Sequence, residues 1–142
     1  EAMGVRVLTN ETIYIEREAE KITITGVDDP HYYYSGQAVE ALRTPEEGFK
    51  IALIHSPELY EEAADNGYHL YLCGHTHAGQ ICLPQGIPIL RNLNKGHHLF
   101  RGLWQHERLT GYTSAGCGVS GLPVRFFTRG EIALFTLKKS EV

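Results

Sequence analysis

Three histidines stand where an imidazole can meet a metal ion. His55 follows the apolar run Phe49-Lys50-Ile51-Ala52-Leu53-Ile54, and His75 and His77 lie in Gly74-His75-Thr76-His77-Ala78-Gly79-Gln80, directly after a second apolar run, Leu70-Tyr71-Leu72-Cys73. Neutral imidazole suits first-row divalent ions, and two histidines one residue apart on a glycine-freed turn can offer nitrogens to one ion or to two neighbours. Other usable groups are scattered. His97 and His98, beside Lys95-Gly96, are candidates for the entrance of a substrate site. Arg125 is a candidate for a bidentate clamp on phosphate. The Tyr32-Tyr33-Tyr34 cluster suits packing or the wall of an acyl or sugar subsite. Cys73 is expected to be a core thiol and not a ligand, and His69 a surface strand residue. Gly116-Cys117-Gly118-Val119-Ser120-Gly121 forms a loop whose backbone N–H groups suit an anion.

The elements that position these residues follow from short-range patterns. Each of the two apolar runs is a strand covered on both faces. Between them Ser56 suits an N-cap, Pro57 the first helical position, Leu59, Ala63 and Ala64 an apolar stripe, and Asp65-Asn66-Gly67 a stop. A strand, a helix of about ten residues and a strand imply parallel strands joined by a crossover. His55 and His75 then emerge at the carboxyl edge of one sheet, where open α/β sheets place ligands. Upstream, Val5–Leu8, Thr12–Ile15 and Ile22–Thr25 alternate as three short strands, and a helix is predicted over Gly36 to Arg43. Downstream, Leu109–Ser114 and Glu131–Leu137 are predicted strands, Pro84–Pro88 is a turn-rich loop, and Leu93–Trp104 shows no assignable pattern.

Composition narrows the class. The 142 residues, 42% hydrophobic, suit one domain with its own core. A net charge of −4, from 13 Lys+Arg against 17 Asp+Glu, argues against a general nucleic-acid binder. Three widely spaced cysteines cannot all pair and match no zinc knuckle, which suggests thiols in a mostly reduced protein. No stretch approaches the ~20 apolar residues of a membrane span. A soluble chain, cytoplasmic or membrane-peripheral, is expected, with any export signal upstream of Glu1.

An isolated His ending a strand, then a helix, then Gly-His-Thr-His after the next strand resembles the last two blocks of the calcineurin-like metallophosphoesterases. The match is closest to the bacterial branch whose Gly-His-Thr-His continues into Gly-Gly-Gln, with Ala78 here in place of a glycine. Gly26-Val27-Asp28-Asp29-Pro30, Gly118-Val119-Ser120, Pro123-Val124-Arg125 and Glu131-Ile132 also look like that branch, so the resemblance covers most of the chain. It implies an α/β fold, the C-terminal half of a two-sheet sandwich flanked by helices (αββα), present as a single partial domain. It further implies a centre of two divalent ions (Mn, Zn or Fe), with His55 and His75 on one ion and His77 on the other. The implied substrates are phosphomonoesters or phosphodiesters of small or lipid-linked molecules.

The family's earlier blocks are an Asp-x-His, a Gly-Asp and a Gly-Asn-His, and neither of the last two strings occurs in this chain. Asp29-Pro30-His31 fits Asp-x-His as a string but resembles the later Gly-Val-Asp-Asp-Pro block, so Asp28 or Asp29 is expected to stabilise a turn. The expectation is therefore an incomplete centre, inactive by itself, in a chain prone to self-association through an unpaired sheet edge. Two alternatives stand beside it. One is a non-catalytic binding module that keeps the family fold; the other is a single-zinc hydrolase using Asp29, His55, His75 and His77.

Overall fold

The computed structural model describes residues 4–17, 19–32, 34–43 and 48–139. Tyr33, part of the tyrosine cluster, lies outside them. The architecture is α/β. Strands β1 (Glu11–Arg17) and β2 (Glu20–Gly26) form an antiparallel hairpin, followed by helix α1 (Gly36–Leu42) and strand β3 (Phe49–Leu53). A 3-10 turn, Pro57–Leu59, leads into helix α2 (Tyr60–Asp65) and strand β4 (Leu70–Cys73). Then come the two-residue strands β5 (Cys82–Leu83) and β6 (Ile87–Pro88), and a hairpin of β7 (Gly102–His106) and β8 (Leu109–Thr113). The main sheet has the order β1-β2-β3-β4-β8-β7. Among the described residues, no helix is long and apolar enough to cross a membrane.

The four inner strands, β2, β3, β4 and β8, run parallel, and this places their carboxyl ends at one edge. Their register carries Thr25, Ala52, Tyr71, Gly111 and Trp104 across one row, on the face that α1 and α2 cover. Leu42, Leu59 and Ala63 from the helical segments complete that core. Burying such aliphatic side chains is worth roughly 1.5–3 kcal/mol each. Several polar groups inside it are paired, while Thr23 Oγ1 has no hydrogen-bond partner among the described residues. The Tyr68 hydroxyl donates to Thr25 Oγ1 at 2.7 Å, and the Tyr71 hydroxyl donates to the Ser56 carbonyl at 2.7 Å. Thr113 Oγ1 donates to the Leu99 carbonyl at 2.6 Å while accepting from Trp104 Nε1 at 2.9 Å.

The opposite face holds Ile15, Phe49, Leu53 and Leu103, all exposed. Residues 131–135 run beside it, where the Tyr112 hydroxyl donates to Glu131 and the Tyr112 ring meets Phe135 edge-on at 5.2 Å.

Several sequence expectations need correction. Val5–Leu8 and Glu131–Leu137 are not strands, because neither has a neighbouring ladder among the described residues; Ile132 and Leu134 stand almost fully exposed. Ser56 makes no side-chain cap bond, and its buried hydroxyl has no hydrogen-bond partner among the described residues. Ser35 does cap α1, accepting from the Ala38 N–H at 3.1 Å. The Leu93–Trp104 segment resolves into a 3-10 turn, His97–Leu99, and the start of β7. The runs expected to leave an unpaired edge, β3 and β4, are interior strands; the edges are β1 and β7.

Candidate metal centre

The carboxyl ends of β2, β3 and β4 deliver Asp29, His55 and His75 to one place. One ligand atom from each lies within 4.8 Å of the other two. The closest pair is His75 Nδ1 and His55 Nε2, 3.1 Å apart. Two nitrogens bound to one zinc by ~2.0–2.1 Å bonds sit at a similar separation, so the donor set fits a divalent ion. Asp29 braces a turn, accepting the His31 N–H at 3.0 Å, and its carboxylate also lies where it could join the two histidines on an ion.

The His75 ring is oriented by its far nitrogen. Nε2 lies 3.0 Å from the Asn92 backbone carbonyl and 3.2 Å from Asn92 Nδ2, and this anchors the ring with Nδ1 facing His55. Burial holds the His75 imidazole below its ordinary range, reinforced by neighbouring His31 and His55. The Asn92 carbonyl and the Asp29 carboxylate pull the other way. A neutral imidazole at neutral pH is the form that binds metal.

The loop after β4 pays for this placement in backbone strain. His75, His77, Ala78 and Gln80 all have positive φ, at 66°, 50°, 53° and 49°. Thr76 N–H donates to the Gly74 carbonyl at 2.8 Å and Ile81 N–H to the Gly79 carbonyl at 2.5 Å, which makes tight turns centred on His75 and Gln80. Strain of this kind gathers at functional sites and persists when the surroundings over-determine it. Here the surroundings are specific. Thr76 Oγ1 donates to the Phe100 carbonyl at 2.6 Å. Gln80 bonds both the N–H and the carbonyl of Ser120. A Cβ on Gly79 would meet Pro88 at 2.4 Å.

His77 stands outside the Asp29, His55 and His75 group, yet with His55 and His75 it lines a cavity of about 540 Å³. Tyr32, Leu90 and Leu122 form part of its wall. Arg125 touches His77 but is already engaged. Nη1 donates to the His77 carbonyl at 3.0 Å, Nε donates to Gly118, and Nη2 donates to the carbonyls of Ala115, Gly116 and Gly118. Its guanidinium ties the glycine-rich loop to the His77 turn instead of facing the cavity as a phosphate clamp. His97 and His98 are exposed and do not line the cavity; the Arg91 guanidinium bonds the His97 carbonyl and the His98 ring lies 6.2 Å from Tyr60. Cys73 is a core thiol, pushed up to about 12 by burial against a lowering bond with Thr113.

Comparison with known proteins agrees with the geometry. The chain is 33% identical over 123 residues to the uncharacterized metallophosphoesterase YkuE of Bacillus subtilis, covering 87% of this chain and 43% of that protein. It is 29% identical over 134 residues to YkoQ, another uncharacterized metallophosphoesterase of B. subtilis, covering 93% of this chain and 49% of that protein. Phosphodiesterase YaeI of Escherichia coli is 30% identical over 81 residues, 57% of this chain and 29% of YaeI. The chain thus spans about half the length of the first two relatives. No family model matches it, and no solved structure is significantly similar.

Proposed function

Because the chain belongs to the calcineurin-like metallophosphoesterase family, we propose that it carries one side of a two-ion centre that hydrolyses phosphate esters. The observation supporting this most directly is the 3.1 Å approach of His75 Nδ1 to His55 Nε2 at the shared sheet edge. In this reading His55 and His75 hold one ion and His77 contributes to the other. Bound divalent ions supply Lewis acidity, drawing charge from phosphate oxygens and acidifying water.

The chain's own residues do the positioning. Asn92 anchors the His75 ring, Thr76 and Gln80 hold the strained turn, and Arg125 braces His77. The apolar wall of Ile81, Ile89, Leu90 and Leu122 supports a phosphate ester with an apolar or lipid-linked group, and among the described residues no Lys or Arg lines the cavity to favour a polyanion. The 142 residues contain no Gly-Asp or Gly-Asn-His, so this chain alone is expected to give almost no turnover.

The test is a phosphodiester assay with added Mn²⁺ or Zn²⁺, on this chain and on a longer form supplying those two blocks. In the longer form, His75→Ala should cost at least ~10²-fold in kcat/KM, about 2.7 kcal/mol, while His97→Ala stays near wild type. Equal losses would place the centre elsewhere, and absence of turnover in the longer form would favour the non-catalytic binding module.

A further inference from the structure

Charge is unevenly distributed along this chain. Residues 66–130 carry Arg91, Lys95, Arg101, Arg108, Arg125 and Arg129 against a single acid, Glu107, although the whole chain has a net charge of −4. Topology sorts these residues by sheet edge. The connection from β4 to β7 starts at the carboxyl end of β4 and ends at Gly102, opposite Thr113 at the carboxyl end of β8, so it begins and ends at the edge that holds the histidines. The segment after β8 leaves from that edge too, whereas Glu107 and Arg108 form the β7–β8 turn at the other one. Lys95 pairs with Glu61 and Glu62, and Arg125 is occupied by backbone carbonyls. Arg91, Arg101 and Arg129 are exposed, and none of them pairs with a carboxylate among the described residues. Glu131, which borders the same hollow as Arg101 and Arg129, accepts instead from the Tyr112 hydroxyl and the Ala115 N–H, both at 2.9 Å.

The same loops expose apolar side chains at their turns. Leu83 and Ile87 face each other across the β5–β6 hairpin, both exposed, and the chain continues into Ile89 and Leu90, the latter 76% exposed. Phe126 is laced to this hairpin: the Cys82 N–H donates to its carbonyl at 2.8 Å, and its own N–H donates to the Gln80 carbonyl at 2.9 Å. Phe126 and its neighbour Phe127 are exposed as well. The cations are interleaved with these groups. A Cβ on Gly86, at the hairpin tip, would meet Arg101 Nη1 at 2.7 Å. The guanidinium groups of Arg91 and Arg101 both lie 5.2 Å from the Phe100 ring, and Arg101, Phe127 and Arg129 border one hollow. Ile89, Leu90 and Leu122 also belong to the wall of the histidine-lined cavity, so the apolar surface continues into it.

We propose that this end of the molecule docks on the surface of an anionic lipid bilayer, with Leu83, Ile87 and Leu90 entering the acyl boundary and Arg91, Arg101 and Arg129 meeting lipid phosphates. Charge complementarity selects this occupant. The apolar groups project from turns and are flanked by guanidinium groups, an arrangement that sets aliphatic tips below the level of the headgroups while arginine reaches the phosphates. A bilayer with anionic lipid attracts each Lys or Arg near its surface, and Glu107, the one acid of residues 66–130, lies at the far edge of the sheet. Docked in this way, the histidine-lined cavity meets the bilayer on its apolar side. The surface is independent of the metal reading, since none of its residues is a candidate ligand.

Vesicle co-sedimentation of the 142-residue chain, in buffer containing EDTA so that no metal contributes, tests the surface by itself. Vesicles of phosphatidylcholine and phosphatidylglycerol in equal parts should bind at least ~10-fold more tightly than phosphatidylcholine alone, and added salt should weaken that binding. Arg101→Gln with Arg129→Gln, and separately Leu83→Gln with Ile87→Gln, should each weaken it at least ~10-fold. Ile15→Gln, on the distant strand β1, should leave it unchanged. Should a double variant misfold, hydrogen exchange of the wild type with and without vesicles decides alone: protection should concentrate in residues 82–91 and 122–129. No binding to the mixed vesicles, equal binding to both kinds, or protection only elsewhere overturns the proposal. So does self-association in lipid-free buffer that the Leu83→Gln, Ile87→Gln variant abolishes while vesicles bind nothing, because a second copy would then be the occupant.

Discussion

At the scale of single residues, the loop after β4 shows how function and stability oppose each other. Ala78 is buried with φ 53° and ψ 33°, a left-handed conformation that costs an L-residue roughly 1–2 kcal/mol. Ala78→Gly should relieve that strain, lose one methyl contact, and stabilise the chain by up to about 1 kcal/mol net. Thermal denaturation would show a rise of a few degrees; a fall would mean that the methyl packs better than the strain costs. His75 and His69 make a second, pH-dependent statement. Burial is the leading cause holding both imidazoles below their ordinary value. The unfolded chain therefore binds protons there that the folded chain refuses. Metal-free stability should be unaffected well above pH 6.5 and fall as pH drops through that value. Urea titrations at pH 7.5 and 5.5 check the sign, and a higher midpoint at the lower pH would contradict it. The approach of His55 and His75 was legible because each follows a strong apolar run, whereas His77, after the same run as His75, stands outside their group. The closeness of Asp29 to both was not, since it depends on β2 lying beside β3, and no local pattern encodes strand order.

At the scale of elements, the strand, helix, strand unit from Phe49 to Cys73 followed almost directly from sequence. Both apolar runs are short and bounded, leaving little choice of register. Strand β7 was not legible: Gly102-Leu103-Trp104-Gln105-His106 has a single β-branch-free apolar alternation and depends on its partner β8. That partnership is specific. Trp104 lies opposite Gly111, and a Cβ there would come within 2.1 Å of the indole, which is itself pinned by its bond to Thr113. Gly111→Ala should cost about 1–3 kcal/mol through overpacking. In Gly111→Ala combined with Trp104→Ala the clash disappears, so the double variant should be less destabilised than the two single losses summed. Chemical denaturation of the four proteins measures this; simple additivity would show that the indole moves aside freely.

For the whole molecule, the sheet is dressed on one face by helices and leaves Ile15, Phe49, Leu53 and Leu103 exposed on the other. Exposed apolar patches of this kind favour association. Sedimentation should detect concentration-dependent self-association of the 142 residues, and Leu103→Lys, at 73% exposure, should reduce it with little change in melting temperature. A monomer at all concentrations would argue that residues 131–139 already shield the face sufficiently. The sequence pattern suggested a strand in that terminal stretch because Ile132, Leu134 and Thr136 alternate with other residues, yet alternation creates a strand only where a ladder exists to join. The gathering of four parallel strand ends at one edge has a further consequence for how such a chain can change over time. What fixes the ligands is where each strand stops, and the connections between stops run over the exterior. Each doubling of a flexible connection costs only about 0.6 kcal/mol of closure entropy. Insertions into the exposed loops that join these elements thus cost little, and the intervals separating the ligands carry far less information than the residues placed just past each strand end.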